Sequence, residues 1–291
     1  RLLHGACSVA AVSMAFIADL TSERHRLFAM TILGISIGIT FGLSMVISPF
    51  IASTYGTVTI FWITAGLILL AIFYLIFFMD EPKSHPFRED VELNFKQIRT
   101  VLKDKNLQVY DFGIFFIHFA LTATFVTVPF YVAEFYPISD LWKIYISVFI
   151  FSAFFLPPMI IFANKKGKEK IVMYLCTGFL LTSFMFFVYA EHSFTFIYIG
   201  LALFFIGFNA LSSLLPTGVS KRSKHQYRGT SLGIYNTSEF FGIFVGGISG
   251  GIFHGIHLYY SFVLLFFIGL FFLYFVYVLE PYKMQVETDH L

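Results

Sequence analysis

Apolar positions along the 291-residue chain neither alternate nor recur every three or four residues; they run on without a break. Nine such runs approach the ~20 residues that a helix needs to cross the hydrocarbon of a bilayer. They are Leu2 to Ala18, Leu27 to Ala52, Val58 to Met79, Leu107 to Tyr131, Leu141 to Phe162, Ile171 to Ala190, Phe194 to Leu215, Thr230 to Phe253 and Tyr259 to Leu279. Backbone polar groups in lipid must be paired within their own segment, so each run predicts a helix. A β-barrel would show alternation in segments half as long. Leu2 to Ala18 precedes eight further runs, so it reads as a span rather than a cleavable signal. The expected fold is therefore all-α, a polytopic transmembrane helical bundle.

Polar positions fall between the runs, and the longest interruption is Asp80 to Asn106. Within it Val91, Phe95, Ile98 and Leu102 have helical spacing beside Lys96, Arg99 and Lys103. That pattern predicts a short amphipathic helix on the membrane surface, the alternative being a solvated linker helix. Pro82 and Pro86 break the chain ahead of it.

Composition agrees with a membrane protein and removes other classes. Hydrophobic residues make up 58% and charged residues 12%, the latter about half the ~25% of soluble domains. A disordered chain is excluded by the same figures. Two cysteines, Cys7 and Cys176, exclude a disulfide scaffold. The net charge of +2 shows no basic excess for nucleic acid.

Charge distribution says more than its total. Seventeen of the 19 Lys and Arg lie in the connections after the first, third, fifth and seventh runs or in the tail; only Arg1 and Lys143 lie on the other side. This asymmetry places those connections and the C-terminus in the cytoplasm.

The runs also repeat. Arg26 and Arg228 each stand before a glycine ladder: Gly34, Gly38 and Gly42 in one run, Gly242, Gly246 and Gly250 in the other. Glycine every fourth residue makes a smooth stripe along which helix backbones approach closely. If the two runs are equivalent in two six-helix halves, the chain opens at the fourth of twelve helices, its first three helices absent, consistent with a start at Arg1 instead of Met. The expected division is then residues 1–79 for the rest of the N-terminal half (helices 4 to 6), 80–106 for a cytoplasmic linker, 107–280 for the C-terminal half (helices 7 to 12) and 281–291 for a cytoplasmic tail.

Ionisable groups inside a bilayer are costly and need a reason. Glu239 and His118 both lie near mid-membrane depth in their runs, where transporters bind solutes and ions. Glu239 reads as a proton carrier or as a structural acid bonded between helices. His118 reads as a proton acceptor, its imidazole titrating near physiological pH, or as a neutral ring bonded to a neighbour. Asp111 shares the face of His118 one heptad earlier, as a gate or a coupling residue. Tyr235 and Asn236, four and three residues before Glu239, line a polar cavity or tie helices together, and Asn209 offers the same choice. Pro157 and Pro158 are expected to bend their helix. No metal site is expected: His254 and His257 are three apart with no carboxylate or thiol beside them.

With these residues in hand, the chain resembles the major facilitator superfamily over its whole length. Arg1-Leu-Leu-His-Gly5 resembles the family's fourth-helix motif, and Asn164-Lys-Lys-Gly-Lys168 its second-half loop between helices eight and nine. Gly38-x3-Gly42 to Ser48-Pro49 resembles the fifth-helix signature of proton-coupled antiporters. Three stretches resemble the YajR-like branch of drug-efflux relatives: Asp111 to His118, Trp142-Lys-x-Tyr145, and Arg228 to Glu239. The resemblance implies a secondary transporter of a small organic solute, proton-coupled and directed outward, working by alternating access as a monomer in the bacterial inner membrane without a cofactor. It implies a coupling role for Arg1. It also implies a cytoplasmic latch in which Asp19 and Arg26 pair with loop bases such as Lys165 and Lys168, the alternative being ordinary charges flanking a span. Uptake, or proton-independent passage of a metabolite, is the alternative transport mode. ATP drive by this chain is not expected, because no phosphate-binding Gly-x4-Gly-Lys-Ser/Thr loop occurs. A polytopic membrane enzyme would need clustered catalytic groups, and no His-Glu-x2-His or Gly-x-Ser-x-Gly is found.

Overall fold

The computed structural model describes residues 32, 36, 39, 40, 42–44, 47–78, 95–137, 140–164, 168–224 and 227–280. The expectations for Leu2 to Ala18, for Arg1, Asp19, Arg26, Gly34, Gly38 and Lys165, and for the tail lie outside these residues. Among the described residues eight α-helices follow in order: α1 (Thr57–Phe78), α2 (Phe95–Leu102), α3 (Lys105–Ala133), α4 (Leu141–Asn164), α5 (Glu169–Val188), α6 (Phe194–Arg222), α7 (Arg228–His254) and α8 (Tyr259–Val278). Residues 47–55 are helical as well, and no strand occurs among the described residues. Six of the eight, all but α2 and α7, are long and apolar enough to cross a membrane. At 27 residues α7 is also long enough, but its glycines and polar groups dilute its apolar character. The fold is all-α and polytopic, and α1 and α3–α8 each overlap a run expected from the sequence.

The chain divides into two units, residues 1–92 with 129–150, and residues 93–128 with 151–291. In the first, Gly56 adopts φ +84° between residue 55 and α1, a left-handed turn that a side chain would strain. None of the 22 residues of α1 is buried, and Phe61 and Trp62 are each 75% exposed. Such a surface is stable against lipid, not water. In the same unit Gly42 leaves room for Phe149, whose ring lies 2.6 Å from where a Cβ would stand.

In the second unit, local signals set the helix ends. Asp104 Oδ1 accepts the backbone N–H of Asn106 at 2.9 Å and of Leu107 at 3.3 Å, capping α3. Ser193 Oγ accepts the N–H of Thr195 at 3.2 Å and caps α6. The core is aromatic: Phe116, Phe184, Phe204, Phe205 and Phe272 are fully buried, with Phe116 packed on Phe272 at 5.5 Å between centroids. α4 runs helical through Pro157 and Pro158, the residues expected to bend it.

Glycines set how closely helices approach. A Cβ at Gly207 would stand 2.6 Å from the Cys176 carbonyl, bringing α6 onto α5. Along α7, Gly242 faces the Phe115 carbonyl, Gly246 the Phe119 carbonyl and Gly250 the side chain of Val126 and Cα of Ala123. Successive turns match in the same order, so α7 and α3 run parallel with backbones almost touching. At Gly246 a Cβ would come within 2.6 Å of the Phe119 carbonyl, a contact a backbone cannot yield cheaply, whereas at Gly251 nothing lies within 4 Å. Gly246→Ala is therefore expected to destabilise the full-length protein by about 1–3 kcal/mol, the usual cost of overpacking. Gly251→Ala should be neutral or slightly stabilising through helix propensity. Thermal unfolding in detergent separates the two.

Candidate functional site

Half-way along α3 and α7 two ionisable side chains meet. His118 Nε2 lies 3.2 Å from Glu239 Oε1, with side-chain exposures of 13% and 29%. The other ring nitrogen, Nδ1, lies 3.2 Å from the Ile114 carbonyl oxygen, one turn back on α3. A carbonyl only accepts, so Nδ1 carries a hydrogen. The Nε2···Oε1 contact then holds one proton, either on the carboxyl beside a neutral ring or on the ring beside a carboxylate. Both forms are hydrogen-bonded and neutral as a pair. Removing the proton sets a lone pair against an anion, and adding a second leaves the half-buried pair with a net positive charge. Phe208 closes one side of the imidazole, edge to face at 5.7 Å.

Other buried polar groups adjoin this pair. Asp111 lies seven residues before His118 on the same helix, about 10 Å along the axis, and is 9% exposed. Tyr235, 3% exposed, precedes Glu239 by one turn and lies within electrostatic reach of both Glu239 and Asp111. Asp111 Oδ1, the Tyr235 hydroxyl and Asn236 Nδ2 are buried without a hydrogen-bond partner. Asn209 is tied instead: its Nδ2 donates to Ser152 Oγ at 3.2 Å, joining α6 to α4.

A second polar cluster gathers at the other end of this unit, nearest α2. The Tyr110 hydroxyl donates to Glu169 Oε1 at 2.9 Å and accepts from Arg222 Nε at 2.7 Å. Arg222 also lies 3.9 Å from Glu169 Oε2, and its Nη2 donates to the Glu280 carbonyl at 2.9 Å. Lys170 Nζ donates to the carbonyls of Tyr277 at 2.6 Å and Leu279 at 3.0 Å, groups the end of α8 leaves without helical partners. The Glu280 N–H reaches Asn106 Oδ1 at 3.1 Å. Four helix ends (α3, α5, α6 and α8) are thereby joined.

The model of the family described as Major Facilitator Superfamily matches residues 1–247 and, in a second placement, residues 144–289. The chain belongs to the major facilitator superfamily. It is 34% identical over 256 residues to the inner membrane transport protein YajR of Escherichia coli (strain K12), an alignment covering 88% of this chain and 56% of that protein. It is 31% identical over 249 residues to an uncharacterized transporter of Buchnera aphidicola, covering 84% of this chain and 64% of the relative. A further Buchnera transporter is 30% identical over 259 residues. The chain thus spans roughly half to two thirds of the length of these relatives, and as a superfamily member it is a multi-pass membrane protein.

Of the residues singled out from the sequence of this superfamily member, Glu239 and His118 are brought together, Tyr235 lies one turn before Glu239, and Asp111 lies two turns before His118. Gly242, Gly246 and Gly250 sit in the α3–α7 contact. Pro49 falls in the helical stretch 47–55. Lys168, expected in a latch, holds its ammonium over the Phe162 ring at 4.4 Å. Among the described residues no group of three or more His, Cys, Asp or Glu is placed to hold a metal ion. Tyr110, Glu169, Lys170 and Arg222 were not anticipated. Their one visible signal is an acid in the first turn of α5 and bases in the last turn of α6, both ordinary helix-dipole placements. Tyr110→Phe removes a hydroxyl that serves two charged partners at once. It is expected to lower stability by about 1–3 kcal/mol, measured as detergent unfolding of the full-length transporter. Tyr274→Phe, on α8 and 61% exposed, is the silent control.

Proposed function

We propose that the chain is part of a proton-coupled transporter that expels a small organic solute by alternating access, with the proton held between His118 and Glu239. The observation that carries this reading is the single-proton geometry of that pair at mid-helix depth. A site stable with one proton, and strained with none or two, takes up and releases protons one at a time. Asp111 and Tyr235 extend it: both are buried with unpartnered oxygens, and they lie between the pair and the α2 end, on a path by which the proton leaves. The family resemblance adds Arg1 to the coupling residues. Tyr235 and Asn236, whose buried polar atoms lack partners, are the solute-contacting groups in this reading, whereas Asn209 ties α6 to α4. The family resemblance also gives Asp19, Arg26, Lys165 and Lys168 the role of a latch. The basic asymmetry supports a cytoplasmic α2 end and C-terminus, and the likeness to a bacterial inner membrane transport protein supports that membrane. Outward direction follows from the likeness to drug-efflux relatives, and a monomer suffices.

The test begins with the full-length transporter expressed in cells and challenged with a panel of toxic organic solutes. A solute it expels is then loaded with the protein into proteoliposomes. Glu239→Gln keeps the size and hydrogen-bonding capacity of the side chain and removes its proton. The variant is expected to lose accumulation driven by a pH gradient, by at least tenfold, and to retain exchange of the solute down its own gradient. Uphill movement by Glu239→Gln at the wild-type rate would show that the proton is carried elsewhere.

A further inference from the structure

The linker helix α2 has three faces of different chemistry. Val101, 3% exposed, points into the second unit, where α2 packs against α7 and Thr230 Oγ1 donates to Gln97 Oε1 at 3.4 Å. Taking Val101 as the origin and 100° per residue, Ile98, Leu102 and Phe95 occupy a flank at about 60° to 120°. Phe95 is 80% exposed and Leu102 49% exposed. Thr100 and Gln97, both polar, hold the opposite flank at about 260° to 320°. Between the flanks, turned away from the protein at about 160° to 220°, stand Arg99, Lys103 and Lys96, all exposed. Lys105 adds an exposed cation at the start of α3. Of the expected stripe, Phe95 and Leu102 are left uncovered, Val91 lies outside the described residues, and the residue of α2 buried where it meets α7 is Val101.

An apolar flank opposite a polar one, with cations between, has one arrangement that satisfies all three. The apolar flank enters the acyl boundary, the polar flank faces water, and the cations sit at headgroup level with their stems along the interface. We infer that α2 and Lys105 form a binding site for anionic phospholipid on the cytoplasmic leaflet, gripped by Phe95 and Leu102 and selected by Arg99, Lys103 and Lys105. Charge complementarity favours this occupant over another protein segment: the one acid among residues 95–105, Asp104, is engaged in capping α3. Each cation near such a surface is worth about a fivefold preference for an anionic over a zwitterionic headgroup. The lipid site itself stands on exposure and charge and does not depend on proton coupling.

The test places a reporter on the apolar flank. Phe95→Trp is made in the full-length transporter, which is reconstituted in nanodiscs of mixed lipid containing brominated phosphatidylglycerol or, in parallel, brominated phosphatidylcholine. Quenching is taken as the difference from the protein without the substitution, so that Trp62, Trp142 and any others cancel. Size-exclusion profiles check folding of every variant. Both lipids are expected to quench, with phosphatidylglycerol effective at a mole fraction at least about tenfold lower. That preference is expected to collapse toward equality when Arg99→Gln, Lys103→Gln and Lys105→Gln are combined. No quenching by either lipid means that protein covers the flank, and overturns the proposal. Equal quenching in the unneutralised protein also overturns it, since the acids of residues 80–92 would then already answer the cations.

Discussion

The near-contact of α3 and α7 is the constraint on which the site depends. Two membrane helices gain little from hydrophobic burial against one another, because lipid is as apolar as a leucine side chain; close packing has to supply the attraction. Gly242, Gly246 and Gly250 provide it by removing every Cβ from the line of contact. The same closeness brings an imidazole on one helix within hydrogen-bond reach of a carboxyl on the other. Unpaired, each polar group would stand alone in a low-dielectric interior. The glycine stripe and the ionisable pair are one device: the first makes the second tolerable in a membrane.

A second constraint acts where the helices end. Helices α5, α6 and α8 finish or begin close to one another, leaving carbonyls and N–H groups that a helix cannot satisfy within itself. Lys170 and Arg222 donate to carbonyls at the end of α8, and Tyr110 mediates between Arg222 and Glu169. The buried phenol has a reason to be Tyr instead of Phe, although its ring lies in an aromatic core. Gly218, whose missing side chain is replaced by the Tyr110 ring, makes room for it. Packing and charge are solved by the same few residues.

Much of this was legible in the sequence because a bilayer enforces simple rules. Continuous apolar runs located α1 and α3–α8, since lipid admits no other regular structure for such runs. The glycine ladder of α7 announced a close helix contact, and the expense of charge in hydrocarbon singled out Glu239 and His118. That those two would touch was not legible: periodicity says which face of a helix a residue occupies, not which helix faces it. The Tyr110–Glu169–Arg222 cluster was hidden for a related reason. Its members stand at helix ends, where charged residues are commonplace, and their partnership is wholly tertiary. The docking residue of α2 was missed because an amphipathic pattern identifies an apolar stripe without saying whether protein or lipid covers it; Val101 lay beside the stripe and proved to be the anchor.

The proton held between His118 and Glu239 also determines where an electric field can act. With its proton the pair is neutral, whichever partner carries it. Without its proton the pair bears one negative charge at the middle of the membrane. A potential difference across the bilayer does work only on a moving net charge, about 2.3 kcal/mol per elementary charge per 100 mV for a full crossing. The protonated site is therefore invisible to the membrane voltage, and the empty one is not. In a cycle built on this pair, voltage sensitivity is concentrated in a single leg, the return of the unloaded site.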